Sequence, residues 1–244
     1  MISARALIAW ALPALFAGQG LAAEITAARY TDPTDRYPHA VLGDGIEHAT
    51  LEVTLSDGRR LSAQYPPGMV FEDTAPRLAD VTGDGAPEVI TVESSDSQGA
   101  RLAVWGLDGQ GRLAPLAASP FIGQRFRWLA PVGAADLDGD GRIELAWIDR
   151  PHLAKTLMVW RMEPAGEGWR LVPLAESPGL TNHRIGESDI AGGMRDCGAG
   201  PEMITADAAW RNVMATRLAG GRLTSRVIGR HRDRGSFAAA MACD

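Results

Sequence analysis

Residues 135–145 read Ala135-Asp136-Leu137-Asp138-Gly139-Asp140-Gly141-Arg142-Ile143-Glu144-Leu145. Aspartates stand at every second position from Asp136, a glycine follows the third, and Glu144 comes four residues after Asp140. Ca²⁺ takes about six to eight hard oxygen ligands at about 2.3–2.6 Å. Asp136, Asp138 and Asp140 on one tight turn, the main-chain carbonyl of Arg142, and Glu144 closing the ring would supply most of that shell. Gly141 permits a bend that a residue with a Cβ resists. The acid that closes the set comes earlier than in a helix–loop–helix calcium loop, and Leu145-Ala146-Trp147-Ile148 after it suits a strand. The stretch therefore predicts a Ca²⁺ turn inside a β-hairpin. An acidic turn without metal is the alternative.

Working outward, the segment after this turn recurs. Pro87-Glu88-Val89-Ile90-Thr91 returns as Pro201-Glu202-Met203-Ile204-Thr205, Ile143-Glu144-Leu145-Ala146-Trp147 fills the same role between them, and Pro38-His39-Ala40-Val41-Leu42 is a fainter copy. Each copy is followed by a second apolar run, a Gly-bearing turn and a third run beginning at Leu61, Leu113, Trp169 or Leu223. Glycine at such places is the hairpin signal. Short strands of small residues precede three of the copies, at 76–80, 132–136 and 190–195. The unit is thus a four-stranded antiparallel meander, strands A to D, repeating about every 50 residues, the period of a β-propeller blade.

The fold class expected is all-β: a small propeller of four blades. Their spans are about 37–71 together with 235–244, 76–117, 128–174 and 185–228. The first copy lacks a strand A, so the C-terminal stretch 235–244 is expected to supply it beside 38–42 and close the ring. Closure of this kind removes open sheet edges.

With these residues in view, the chain resembles the FG-GAP/VCBS repeat family. Ala79-Asp80-Val81-Thr82-Gly83-Asp84-Gly85-Ala86-Pro87-Glu88 and the stretch 135–144 carry the resemblance. It implies a propeller whose A–B hairpins cradle structural Ca²⁺, at one or two sites here. In the turn at 80–88 the ligand set is Asp80, Thr82, Asp84, Ala86 through its carbonyl, and Glu88. Thr82 replaces a carboxylate, which lowers the expected affinity. In the fourth copy the turn reads Arg195-Asp196-Cys197-Gly198-Ala199-Gly200-Pro201-Glu202, and no metal is expected there.

That turn carries one of the two cysteines. Cys197 lies in the A–B turn of blade four and Cys243 ends the strand expected to close blade one. Those blades are neighbours in a four-bladed ring, so a Cys197–Cys243 disulfide is expected, consistent with an exported chain.

Export is also what the first residues suggest. Arg5 is the sole charge before Glu24, residues 6–17 are apolar but for Pro13, and small residues at 18–23 offer a cleavage point. Residues 1–23 are therefore expected to be a signal peptide, 24–244 one propeller domain, and the destination the periplasm or the exterior. The apolar run falls short of the roughly 20 residues a membrane span needs, and no later segment qualifies. A net charge of −6 argues against nucleic acid as partner.

Motifs of nucleophilic, zinc-dependent and phosphate-binding enzymes are missing. Antiparallel order places the B–C loops and the D-to-A connectors opposite the acidic turns. Arg127, Trp128, Arg150, His183, Arg184 and Arg230 collect there as candidate ligand-binding residues. Their chemistry suits an anionic or carbohydrate ligand, or a protein partner. The expected function is a calcium-stabilised, non-enzymatic binding or assembly module. An enzyme with an unrecognised central site, and an accessory subunit of an envelope complex, remain open.

Overall fold

The computed structural model describes residues 23–243. The signal peptide expected at 1–23 lies outside them apart from Ala23. Seventeen strands and one helix follow in order.

The first strands are β1 (Ile25–Thr34), β2 (Glu47–Leu55) and β3 (Arg60–Gln64), with β1 and β3 both antiparallel to β2. A short β4 (Met69–Phe71) touches β2 at His48 and pairs with β6. Then come three units of the expected form. The first is β5 (Arg77–Ala79), β6 (Glu88–Ser95), β7 (Gly99–Leu107) and β8 (Leu113–Ala118). The second is β9 (Leu129–Ala135), β10 (Glu144–Asp149), β11 (Thr156–Ala165) and β12 (Gly168–Pro178). After β13 (Leu180–Thr181) the third is β14 (Gly193–Asp196), β15 (Pro201–Asp207), β16 (Asn212–Ala219) and β17 (Arg222–Arg230). The chain ends in α1 (Gly235–Met241).

Within each four-stranded unit the second strand is the most buried. All eight residues of β6 are buried, as expected of a strand covered on both faces. The cores lie between successive units of strands. Leu51, Val53 and Phe71 meet Val89 and Trp105; Ile90, Val92 and Leu102 meet Leu129, Leu145 and Trp147; Ile148 and Val159 meet Met203 and Leu218. A fourth cluster joins Ile204 and Val213 to Phe237 and Ala240 of α1. Trp105 and Trp147 are core residues.

The first copy and the ring closure need correction. Residues 38–42 are not a strand but part of a turn, and Val41 from it inserts into the core between the β5–β8 and β9–β12 sheets. The first sheet has its own leading strand, β1, of which one residue in ten is buried. It also has no fourth strand of its own, and β4 makes it continuous with the β5–β8 sheet. Three sheets result rather than four, of eight, four and five strands. The C-terminal stretch is a helix, so no closing strand forms there. Gly235-Ser236-Phe237-Ala238-Ala239-Ala240-Met241 is rich in strong helix formers. Phe237 and Ala240, three apart, put one face of that helix on β14–β17. The Cys197–Cys243 disulfide is present, with Cα atoms 5.7 Å apart. It ties the β14–β15 turn to the end of this helix rather than to a strand of blade one.

Candidate functional site

The acidic turns sit where the repeat places them, between β5 and β6, β9 and β10, and β14 and β15. In the middle one, Asp136 Oδ1 and Oδ2 accept from the N–H groups of Gly139 and Gly141 at 2.8 and 3.0 Å. Glu144 Oε2 accepts from Leu137 N–H at 2.7 Å. Ligand oxygens of Asp136, Asp138 and Glu144 lie within 4.8 Å of one another. That spacing and an all-oxygen set fit a hard cation. Asp140 falls outside the group and turns to Arg142 and Arg161.

Sequence reasoning missed Arg161. It lies on β11 directly across from Glu144, 6% exposed at its side chain. Its guanidinium donates to Glu144 Oε1 at 2.6 Å, Asp140 Oδ2 at 2.9 Å and Asp138 Oδ2 at 3.0 Å. One internal cation thus serves three carboxylates of the turn. Any metal would compete with it for Asp138 and Glu144. Burial pushes the Glu144 carboxyl up, while Leu137 N–H and Arg161 oppose the rise.

The neighbouring turns bracket this case. Opposite Glu88 stands Gly106, whose place an added Cβ would share with the Leu116 side chain 2.6 Å away, and no guanidinium comes from that position. Glu88 instead accepts from the N–H groups of Val81 and Thr82 and from the Thr82 hydroxyl. Thr82 thus serves Glu88, Asp80 accepts from Gly83 and Gly85 N–H, and Asp84 from Ala86 N–H. Glu202 meets three guanidiniums, Arg195, Arg217 and Arg226. Against its burial they draw it down to about 2. The closing glutamate has no arginine, one and three in the three turns. A charged residue at the same place on the third strand of two repeats was the available signal.

At the other end of the strands is a cavity of about 340 Å³, lined by His39, Phe126, Arg127, Trp128, Arg150, His152, Leu153 and Ile185. Four connecting segments converge on it. The connector between β8 and β9 lies across the β6–β7 turn, where Ala100 N–H donates to Arg127 O at 2.8 Å and Gly123 N–H to Gln98 O at 2.8 Å. A Cβ on Gly99 would stand 2.1 Å from Gln124 O, so only glycine permits that approach. The segment before β2 meets the β13–β14 connector through Gly186 N–H to Val41 O at 2.9 Å. This brings His39 and Ile185 to one rim. Phe126 (φ 57°) and Arg150 (φ 44°) are left-handed without being glycine, the kind of backbone strain that gathers at functional sites.

Trp128 is the floor. It is buried, its Nε1 donates to Glu72 O at 2.8 Å, and it packs against His152 and His183. His39 Nδ1 is 2.5 Å from Oε1 of the buried Glu72, which Ser94 Oγ also holds. Burial pushes Glu72 up and His39 opposes it. Burial, then the neighbouring His183, pushes His152 down to about 4.

Of the six candidates, Arg127, Trp128 and Arg150 line this cavity. His183 is buried beneath it. Arg184 stacks on Trp210, 4.2 Å from the ring centroid, and Arg230 lines a separate hollow beside the disulfide. His39 was hidden in a segment that reads as a strand.

Four-stranded antiparallel units, each with its turn between first and second strand in the same place, define an all-β repeat protein. Residues 80–147 match the family model described as FG-GAP-like repeat, from the first acidic turn through β10. The chain carries an FG-GAP-like repeat, as its two sharpest turns implied. No curated protein sequence matches the chain. Among the described residues, no helix is long and apolar enough to cross a membrane.

Proposed function

We propose that this protein is an exported, calcium-stabilised binding module whose ligand site is the cavity over Trp128. One observation carries the reading: a cavity built by four separate connectors, with cationic and aromatic side chains converging on one end of a rigid β scaffold. Binding sites favour such positions. Export rests on the leader-like first residues and the disulfide. Calcium rests on the Asp136, Asp138 and Glu144 oxygens, with Asp140 and the Arg142 carbonyl completing the set, and on the weaker set at 80–88. Bound there, the ion would supply positive charge that pins β9 to β10; its entry requires Arg161 to give up Asp138, Asp140 and Glu144, and Asp140 to turn from Arg142 into the cluster.

An enzyme is the second reading. The observation that favours it is His39, held at Nδ1 by a buried carboxylate as general bases often are. The experiment for the first reading is a thermal-shift panel of small anions and neutral sugars, on the protein and on Arg127→Gln. At least one anion should raise the melting temperature of the protein and not of the variant. A silent panel, or an equal response in Arg127→Gln, would sink the cavity as the site.

A further inference from the structure

Resting on that reading, we infer that the cavity over Trp128 takes a small polyhydroxylated carboxylate, of the sugar-acid class. Three features of the rim point to it: surplus positive charge, two imidazoles each with a ring nitrogen left for a ligand, and an apolar wall.

The charge comes first. Arg125, Arg127 and Arg150 border the cavity or its Phe126 wall. Among the described residues only Arg150 has a carboxylate, its neighbour Asp149 at 2.7 Å. Among the described residues Arg127 forms no ion pair; its Nη1 donates to Phe126 O at 3.1 Å. Arg125 lies 4.4 Å from the Phe126 ring centroid and also lacks a carboxylate partner. In a chain of net charge −6 this rim is locally positive. A guanidinium with free N–H groups matches a carboxylate in shape and charge.

The ring nitrogens follow from hydrogen-bond logic. A carbonyl oxygen only accepts, so His183 Nε2, 2.8 Å from Glu187 O, carries a proton. Neutral His183 therefore accepts at Nδ1, and His152 Nε2, 3.0 Å away, donates to it. Neutral His152 is left with a bare Nδ1. On the other rim Glu72 engages His39 at Nδ1, which leaves Nε2 as the ring nitrogen free for a ligand hydroxyl. Both histidines line the cavity. A bare acceptor on His152 and a second imidazole nitrogen on His39 select a ligand with hydroxyl groups, which both donate and accept. An imidazole pair can also take a transition metal, but flanking guanidiniums repel a further cation.

The wall is Phe126, Leu153 and Ile185. Leu153 and Ile185 are two of the five large hydrophobics exposed among the described residues. They would meet the C–H face of a sugar ring. A volume of about 340 Å³ is at the small end for ligand sites, so one ring unit fits and a large cofactor does not.

The test is a calorimetric or NMR titration with galacturonate, galactose and propionate, and with trigalacturonate to separate a free acid from a polysaccharide residue. Galacturonate should bind at least tenfold tighter than galactose and than propionate. Arg127→Gln should reduce it to the level of galactose. His152→Ala, checked for folding by its melting curve, should reduce it to the level of propionate. Tighter binding of trigalacturonate would assign a polymer as the source, and weaker binding a free acid. Propionate equal to galacturonate overturns the hydroxyl assignment, and galactose equal to it overturns the carboxylate. If phosphate or another anion gives an Arg127-dependent thermal shift while galacturonate does not bind, the sugar acid is wrong and the cavity stands. If no anion response depends on Arg127, both fall.

Discussion

At the scale of single residues, buried charge decides most of what can be tested. Arg161 neutralises Glu144 in a place where neither side chain is exposed to any extent. Removing one partner of a buried pair costs about 3–5 kcal/mol, because the other is left uncompensated. Arg161→Met should therefore lose about that much in urea denaturation with chelator present. Added Ca²⁺ should restore part of the loss, since a ligand of the folded state stabilises by mass action. A variant as stable as the parent in chelator, or one indifferent to Ca²⁺, would reject the competition between ion and guanidinium. Glu47 gives a pH test. Burial, and then the carboxylates of Glu72, Asp44 and Asp73, pushes it up to about 9 from an ordinary 4.5. Between those values the folded chain holds a proton that the unfolded chain has lost. The neutral form's contribution is complete below about pH 4.5 and drains away as pH rises towards 9, by about 1.4 kcal/mol per unit. From pH 6 to 8 the parent should lose about 2–3 kcal/mol more than Glu47→Gln, measured by urea unfolding at each pH. Parallel curves would show that Glu47 ionises normally.

At the scale of elements, what sequence revealed and what it hid divide along physical lines. Turns were legible because their chemistry is local. The β2–β3 turn at 56–59 and the acidic hairpins fall where glycine and aspartate put them. Strands buried on both faces, such as β6 and β10, were legible as apolar runs. β1 was not, because an exposed edge strand needs no apolar pattern and this one even contains Pro33. The helix α1 was misread because an alanine-rich run is apolar under either period, and the demand for a closing strand overrode its helix propensity. The cysteine pair was found even so, since both assignments place Cys243 near the β14–β15 turn. For the cavity, Arg127, Trp128 and Arg150 could be assigned to one end of the strands, but His39 could not, because its position depends on the turn at 38–42. The disulfide joins positions 46 apart in sequence, and closing such a loop is worth about 4 kcal/mol in the chain-entropy model. The double variant Cys197→Ala, Cys243→Ala should lower the unfolding free energy by about 2–4 kcal/mol. A change below about 0.5 kcal/mol in urea unfolding would mean that α1 docks as firmly without its tether.

For the whole molecule, the arrangement of cores makes a prediction about cooperativity. Each sheet packs on the next: β8 against β12, β9 against β14 and β15, and α1 against the β14–β17 sheet. The β9–β12 unit has a core on both sides. β1 and β17 are edge strands with few buried residues. In a closed ring every unit has two neighbours, and a unit can open only when the ring breaks. In an arc, stability is graded, with opening free energies from near zero at the edges to the global value at the centre. Native-state hydrogen exchange separates the two. The hydrogen-bonded amides of β10 and β11 should exchange only through global unfolding, at least about a hundredfold more slowly than those of β1 and β17. Their exchange should track the urea dependence of global unfolding, whereas β1 should show almost none, the mark of local fraying. Equal protection and equal urea dependence of β1, β10 and β16 would mean that the first and last sheets hold each other as firmly as their sequence neighbours hold them. The helix at the C-terminus would then be an attachment to a closed ring rather than the cap of an open arc.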